Sequence, residues 1–208
     1  MSALKSKAAE AQSGGDARER ILASARKSFA SAGFEGAATR QIAAEAGVAQ
    51  SLLLYHFKSK DALWRAVIDH MFADLNGRMD IAARRARSGT VRERLMSVIR
   101  AFIEICSEDA DIHRIMTIEG RQPTDRLGWL VEKHLRDNYR AACAMIQEGQ
   151  ALGVVRQGDP TLLYYSFIAI AGTAFSLAPE IELVSERAVA VDPAVIERLI
   201  TALLFISE

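Results

Sequence analysis

Apolar residues recur every three or four positions along most of the chain, the spacing that places them on one face of an α-helix. No stretch shows the sustained alternation of apolar and polar residues that is typical of a half-buried strand. The pattern therefore predicts an all-α protein of about nine helices. We expect these helices at residues 16–32, 39–46, 50–57, 60–86, 90–107, 109–119, 124–152, 160–178 and 193–206.

Residues that cap or end helices stand at many of these boundaries. Four helices are preceded by a residue that lies three positions before a Glu or directly before a first-turn proline: Asp16, Thr90, Asp159 and Asp192. Four glycines are placed to end helices: Gly33, Gly47, Gly89 and Gly153. The periodicity lapses from Pro179 to Val191, which predicts one long connection there.

The composition is that of an ordinary globular protein, because 50% of the 208 residues are hydrophobic and 25% are charged. Residues 1–15 are small, polar and unpatterned, which predicts a disordered arm. Cys106 and Cys143 lie in apolar helical stretches, so we expect buried thiols and a reducing, cytoplasmic compartment. The uncharged run from Pro160 to Pro179 has an apolar part, Leu162 to Ala178, that falls just short of the roughly 18 residues needed to span a membrane, which favours a buried helix.

The formal net charge is zero, but the charges are distributed unevenly. Residues 1–65 carry 10 basic and 6 acidic side chains, whereas the remaining 143 residues carry 16 and 20. A surface that binds a polyanion is therefore expected within the first 65 residues.

The segment from Thr39 to Lys60 contains two very short helical patterns separated by the turn sequence AGVA. Gly47 is suited to a positive φ in that turn, and Leu53 and Phe57 form the inner face of the second helix. Helices of seven or eight residues are not stable alone, so each must pack on the helix before them. This arrangement predicts a helix-turn-helix.

The outer face of the second short helix is the candidate binding surface. A step of about 100° per residue from the inward Leu53 places Ser51 and Tyr55 on the opposite side. Helix-turn-helix proteins place this helix in the major groove of double-stranded DNA, where polar side chains read base edges and basic ones contact phosphates. The predicted DNA-binding residues are Thr39, Arg40, Gln50, Ser51, Leu52, Tyr55, His56 and Lys60. His56 has an equal alternative, which is to close the core of this domain.

From about Arg20 to Leu75 the sequence contains FASAGFEGAATRQIAAEAGV and then LLLYHFKSKDAL. This stretch resembles the DNA-binding domain of the tetracycline-repressor (TetR) family of bacterial transcription regulators. The resemblance implies a second, helical domain for ligand binding and dimerisation. It predicts an arm at 1–15, a DNA-binding domain at 16–60 and a ligand-binding and dimerisation domain at 61–208.

Two positions depart from the pattern of this family. Ala49 stands where a serine usually caps the second short helix, and the loss of that cap costs about 1 kcal/mol. Leu54 replaces a common tyrosine that often contacts phosphate, while Tyr55 and His56 follow it.

The later helices carry the candidate sites for an effector and for a second copy of the chain. Bundles form ligand sites between facing helices, and six apolar or half-polar residues are the candidates for an unidentified small-molecule effector. They are Phe102, Cys106, Met116, Trp129, Asn138 and Phe167. Small residues at Ala169 and Gly172, together with Val195 and Leu199, predict a homodimer through the last two predicted helices.

These observations predict a ligand-responsive transcriptional regulator, most simply a repressor that a small molecule releases from a palindromic operator. The alternative is an all-α small-molecule-binding protein or enzyme with an incidental helix-turn-helix. The sequence has no Gly-rich phosphate loop, no nucleophile elbow and no metal-ligand spacing, so we expect no enzymatic activity, no cofactor and no metal.

Overall fold

The computed structural model describes residues 2–187 and 191–206, with side chains from Asp16 onward. Every regular element in these ranges is helical, which confirms the all-α fold class. A π-helical turn, Val131–Leu135, joins α7 to α8. The α-helices are α1 Ser2–Gly36, α2 Thr39–Glu45, α3 Gln50–Phe57, α4 Lys60–Arg85, α5 Val91–Glu108, α6 Asp111–Glu119, α7 Asp125–Leu130, α8 Arg136–Ala151, α9 Pro160–Ser176, α10 Ala178–Ser185 and α11 Pro193–Leu204.

Three of the four predicted N-caps are confirmed. Thr90 and Glu93 form a complete capping box at the start of α5. The carboxylates of Asp159 and Asp192 accept backbone hydrogen bonds at the starts of α9 and α11, each directly before a proline. These local signals explain why the predicted helices lie close to the observed ones from α5 to α9 and at α11.

The predicted start of the first helix at Asp16 is wrong, because α1 begins at Ser2 and its helical backbone passes through Asp16. Residues 2–15, for which the sequence predicted a disordered arm, continue this helix. Alanine and lysine are frequent in that stretch and have high helix propensity, although they form no apolar stripe.

The predicted long connection from Pro179 to Val191 is also wrong in part, because it contains α10. This helix buries none of its side chains, and Leu183 and Val184 are 81% and 78% exposed. A helix without a buried stripe gives no apolar period, so the pattern could not reveal it.

Helices α1, α2 and α3 pack together at one end of the molecule, and we call this unit the head. Gly33 has φ 68°, which kinks α1, and Gly47 has φ 66° in the turn between α2 and α3. Both values lie in the left-handed region that glycine adopts without strain. The two glycines thus set the corners of the helix-turn-helix.

Two apolar cores hold the chain together. The first contains buried residues of α1 to α4 and extends to Ile112, Ile115 and Leu130 of α6 and α7. The second joins α5, α8, α9 and α11 and includes Phe167 and Ile200. Because α6 and α7 contribute to the first core, the head is packed against the rest of the protein, which we call the body. The domain boundary after residue 60 stays a prediction.

None of the described helices is by itself long and apolar enough to cross a membrane. The bent pair Pro160–Ser176 and Ala178–Ser185, with 69° between its helices, reaches that length and composition only when taken together.

Candidate nucleic-acid interface

One face of the short helix α3 is buried against the rest of the head, and the opposite face is exposed to solvent. Leu53 is fully buried and Phe57 is 4% exposed, whereas Tyr55 is 72% exposed. Gln50 and Ser51 at its start are exposed as well, and Leu52 is 37% exposed. The outward set predicted from the helical period is therefore the set that faces solvent in this chain.

Helix α2 is locked onto α1 by a buried serine. The hydroxyl of Ser24 in α1 lies 3.1 Å from the backbone carbonyl of Ile42 and 3.1 Å from a carboxylate oxygen of Glu45. Ile42 and Ala43 are buried against the head core. These contacts fix the angle at which α2 presents its first residues.

The first residues of the two short helices meet in space. The side-chain amide of Gln50 donates a hydrogen bond to the Thr39 hydroxyl over 3.3 Å, and Arg40 beside them is exposed. Ala49 precedes α3 without any side-chain cap, as its replacement of serine predicts. Thr39, Arg40, Gln50 and Ser51 thus lie together at one edge of the head.

The corner between α3 and α4 has a strained backbone. Lys58 has φ 62°, and the N–H of Ser59 donates to the Phe57 carbonyl over 2.6 Å, which forms a γ-turn. Ser59 then caps α4 by accepting from the N–H of Ala62 over 3.1 Å. The Lys58 ammonium lies 5.8 Å from the centre of the Tyr55 ring, so a cation stands beside the most exposed aromatic of α3.

Lys60, predicted as a phosphate contact, has partners within the protein. Its ammonium donates to the Glu35 carbonyl over 3.2 Å and lies 4.7 Å from the centre of the Phe34 ring. The side chain is half-buried rather than free in solvent. A phosphate contact by Lys60 therefore requires the ammonium to leave these partners.

His56 lies between the two faces of α3. Its ring is 5.6 Å from that of Tyr55 and 6.2 Å from that of Phe57, and the residue is half-buried. Among the described residues, its buried Nε2 atom has no hydrogen-bond partner. This position agrees better with closure of the head core than with a direct DNA contact.

Arg18 is a basic residue near this surface that sequence reasoning missed. It is exposed on α1, and its guanidinium lies 5.4 Å from the centre of the Phe57 ring at the end of α3. Its only sequence signal is the basic excess of the first 65 residues, which does not distinguish one arginine from another.

Comparison with known proteins identifies this arrangement. Residues 21–67, from α1 to the first turns of α4, match the family model described as bacterial regulatory proteins of the tetR family. Residues 21–67 therefore form a DNA-binding domain of the TetR family. This is the domain of a DNA-binding transcriptional regulator, and the family that it represents is non-enzymatic, in agreement with the expectation from the sequence.

Solved structures extend the similarity to the whole fold. A tetR-family regulatory protein from Rhodococcus RHA1 has a TM-score of 0.74 and 19% identity, covering 92% of this chain and 98% of that chain. A proposed fatty acid metabolism regulator from Clostridium perfringens has a TM-score of 0.71 and 21% identity, covering 88% and 94%. No curated protein sequence matches the chain.

The six effector candidates lie on five helices, α5 to α9, and three of them, Phe102, Met116 and Trp129, pack against the first core. The rings of Phe102 and Phe167 meet between α5 and α9, with centroids 5.1 Å apart. Cys106 is fully buried one turn after Phe102, and burial raises the pKa of its thiol to about 12. Met116 packs against the first core.

Trp129 and Asn138 each contact a residue of α4. The Trp129 ring packs 5.7 Å from that of Trp64 in α4. Asn138 is exposed and donates to the Asn76 side chain over 2.9 Å. Two clefts between described helices, about 250 Å³ between α1 and α4 and about 450 Å³ between α5 and α11, are lined by none of the six. The effector site stays a prediction.

Proposed function

We propose that this TetR-family protein is a homodimeric repressor that binds a palindromic operator and is released from it by a small-molecule effector. One observation supports the proposal most strongly. Helix α3 presents Gln50, Ser51, Leu52 and Tyr55 to solvent while Leu53 and Phe57 hold it from behind. An exposed, rigidly supported helix of this kind suits insertion into a major groove.

The chemistry of the exposed residues suits both base edges and phosphates. Gln50 and Ser51 offer hydrogen-bond donors and acceptors, and Leu52 can contact a thymine methyl group. Arg40 and Thr39, at the start of α2, are placed for the phosphate backbone, with Lys60 as a further cation once it leaves Phe34. Tyr55, with Lys58 beside it, completes the proposed surface.

Dimerisation through α9 and α11 is supported by apolar side chains on their outer faces. Leu162 and Tyr165 of α9 are 68% and 57% exposed, and Leu199 of α11 is 54% exposed. A second copy would cover these residues with the same residues of its own, as two-fold symmetry requires. Two heads related by that symmetry would match the two halves of a palindrome.

Release by an effector requires a route from the body to the head. Helix α4 provides one, because it begins in the head at Lys60 and packs along α5 in the body. An effector that binds the DNA-incompetent arrangement 10–100-fold more tightly supplies about 1.4–2.8 kcal/mol of coupling. The proposal places the protein in the cytoplasm, where the operator is accessible.

DNA binding is tested by fluorescence anisotropy on the promoter-proximal DNA of the protein's own gene, over a range of salt concentrations. Gln50→Ala and Tyr55→Ala should lose specific binding while retaining wild-type unfolding curves. Lys60→Gln should reduce the magnitude of the slope of log affinity against log salt by about 1 or less, which corresponds to the loss of one phosphate contact. Gln147→Ala, an exposed glutamine of the body, is the matched control and should bind as wild type.

Full specific binding by both Gln50→Ala and Tyr55→Ala would overturn the assignment of α3 as the reading helix. The effector is tested separately, by a thermal-shift screen of metabolites followed by the same anisotropy assay. A compound that stabilises the protein and weakens DNA binding supports release. A screen in which no stabilising compound weakens DNA binding contradicts it.

A further inference from the structure

Arg126, in α7 of the body, contacts three groups, two of which belong to the head. Its guanidinium carbon lies 3.8 Å from the centre of the Phe34 ring, just after the kink of α1. Its Nε atom lies 3.4 Å from the carboxylate of Glu119, and its Nη2 atom lies 3.6 Å from that of Glu35. The side chain is only 19% exposed.

Glu119 is itself a fixed anchor for Arg126. It is 6% exposed at the end of α6, and the Thr124 hydroxyl donates to its carboxylate over 2.6 Å. One residue earlier, Ile118 contacts Gly33, where a Cβ would lie 3.0 Å from the isoleucine Cγ2. The C-terminal end of α6 and the N-terminal end of α7 therefore pack against the part of α1 that leads into α2.

Lys60 contacts the same two residues of α1, Phe34 and Glu35. Its ammonium lies 4.7 Å from the centre of the Phe34 ring and bonds to the carbonyl of Glu35, the residue whose carboxylate faces Arg126. Both cations are therefore attached to Phe34 and Glu35, and their charges lie less than about 9 Å apart, within roughly one Debye length at physiological salt.

Two cations on one ring and one residue weaken each other's attachment. The negative potential of the ring attracts both cations, but the two positive charges repel each other. Arg126 is fixed by Glu119, whereas Lys60 begins α4 at the edge of the exposed surface. Lys60 is therefore the cation that can leave Phe34 and Glu35.

We propose that Arg126 is a positioning residue for DNA binding, because its charge disfavours the docked state of Lys60 on Phe34 and so makes the ammonium available to a DNA phosphate. This inference rests on the proposed role of Lys60 as a phosphate contact. It assigns to the body a direct electrostatic effect on the head, through a residue that does not itself touch DNA. A movement of α6 or α7 that withdrew Arg126 would lower DNA affinity.

A double-mutant cycle on DNA affinity tests the coupling. Wild type, Lys60→Gln, Arg126→Gln and the double variant are compared by anisotropy at low salt, where the weakened variants still bind measurably. Arg126→Gln should weaken operator binding about fivefold when Lys60 is present and less than about twofold in the Lys60→Gln background. It should also lower the salt slope, because Lys60 no longer reaches its phosphate.

Control variants distinguish the coupling between Arg126 and Lys60 from a loss of structure and from a general loss of positive charge. Arg126→Lys retains the charge and should recover most of the affinity, and Arg140→Gln removes an exposed arginine of the body and should have no effect. Because Arg126→Gln leaves the buried Glu119 without its cation, the cycle is repeated with Glu119→Gln in all four proteins, and each is checked by circular dichroism and thermal unfolding.

The outcomes distinguish this inference from the proposed function. If wild type binds the operator but Arg126→Gln has the same effect with and without Lys60, or no effect, the inference is wrong and the regulator assignment stands. If wild type shows no sequence-specific binding, the proposed function fails first. A loss confined to proteins that retain Lys60 supports the inference.

Discussion

The hydroxyl of Ser24 lies 3.1 Å from the carbonyl oxygen of Ile42, and this contact fastens α2 to α1. Ser24 is 8% exposed, so its hydroxyl has exchanged water for this partner. The Ile42 carbonyl also accepts from the N–H of Ala46, so it keeps one partner if the serine is lost. We therefore expect Ser24→Ala to cost about 1 kcal/mol of unfolding free energy, measured by urea denaturation.

Ser31→Ala is the matched control for Ser24→Ala. Ser31 is exposed, and its hydroxyl bonds only to the Ser28 carbonyl within the same helix. Its loss should change the unfolding free energy by less than about 0.5 kcal/mol. Equal effects of the two substitutions would show that the contact between α1 and α2 contributes nothing.

Gly172 in α9 is required because the imidazole of His113 lies directly on it. A Cβ at position 172 would lie 2.0 Å from His113 Nδ1, and both groups are held between α6 and α9. We expect Gly172→Ala to destabilise the protein by about 1–3 kcal/mol through overpacking, seen as a lower thermal midpoint.

Gly77→Ala is the opposite case in the same fold. Gly77 lies inside α4, and a Cβ there would meet no atom within 4 Å. Alanine in a helix interior is favoured over glycine by about 0.5–1 kcal/mol, so this variant should be more stable than wild type. If both glycine variants shift the midpoint in the same direction, the contact with His113 is not the cause.

The stability should fall in mild acid because of His113. Burial lowers the pKa of this imidazole below its ordinary 6.5, so the unfolded chain takes up a proton at a higher pH than the folded protein. The resulting stabilisation is complete above about pH 6.5 and is lost as the pH falls through the folded pKa. Carboxylates with lowered pKa values, such as Glu93 and Asp159, add their losses at lower pH, below their ordinary 4.5 and 3.8.

His113→Phe tests this origin, since phenylalanine keeps a ring on Gly172 but does not titrate. Urea unfolding of wild type and variant is compared from pH 8 to pH 5. The wild-type free energy should decrease over this range, while that of the variant stays nearly constant. An unchanged pH dependence in the variant would assign the effect to other groups.

The parts of the interface that sequence could predict are those set by neighbouring residues. Gly47, the apolar spacing of Leu53 and Phe57 and the capping residues act within one or two helical turns, so α2 and α3 and their outward side chains follow from the sequence. The attachment of Lys60 to Glu35 depends on the kink at Gly33 and joins positions 25 apart. No local pattern encodes such a contact.

The effector candidates show the same limit in the body. Composition identified the aromatic residues of the middle helices, but packing decides which of them meet. Phe102 contacts Phe167 across α5 and α9, whereas Trp129 is directed to Trp64 because α7 packs back on α4. The helical period gives the inward face of each helix and not its neighbour.

The proposed dimer makes a prediction at Leu199, which lies on the outer face of α11 and is 54% exposed in one chain. Leu199→Glu would place a carboxylate in the interface twice, once from each copy, and each unpaired charge costs on the order of a few kcal/mol when buried. The variant should therefore be monomeric by light scattering at micromolar concentration, with a wild-type helical signal. Its operator affinity should fall as well, because one head reads only half of a palindrome.

Leu152→Glu provides the control, since Leu152 is 63% exposed at the C-terminal cap of α8 and belongs to neither α9 nor α11. This change of the same kind on an exposed leucine should leave the mass of the dimer unaltered. A dimer that persists in Leu199→Glu but dissociates in Leu152→Glu would place the interface elsewhere. The head surface would then retain its base-reading residues, but the spacing of two heads on DNA would have to be derived from a different face of the body.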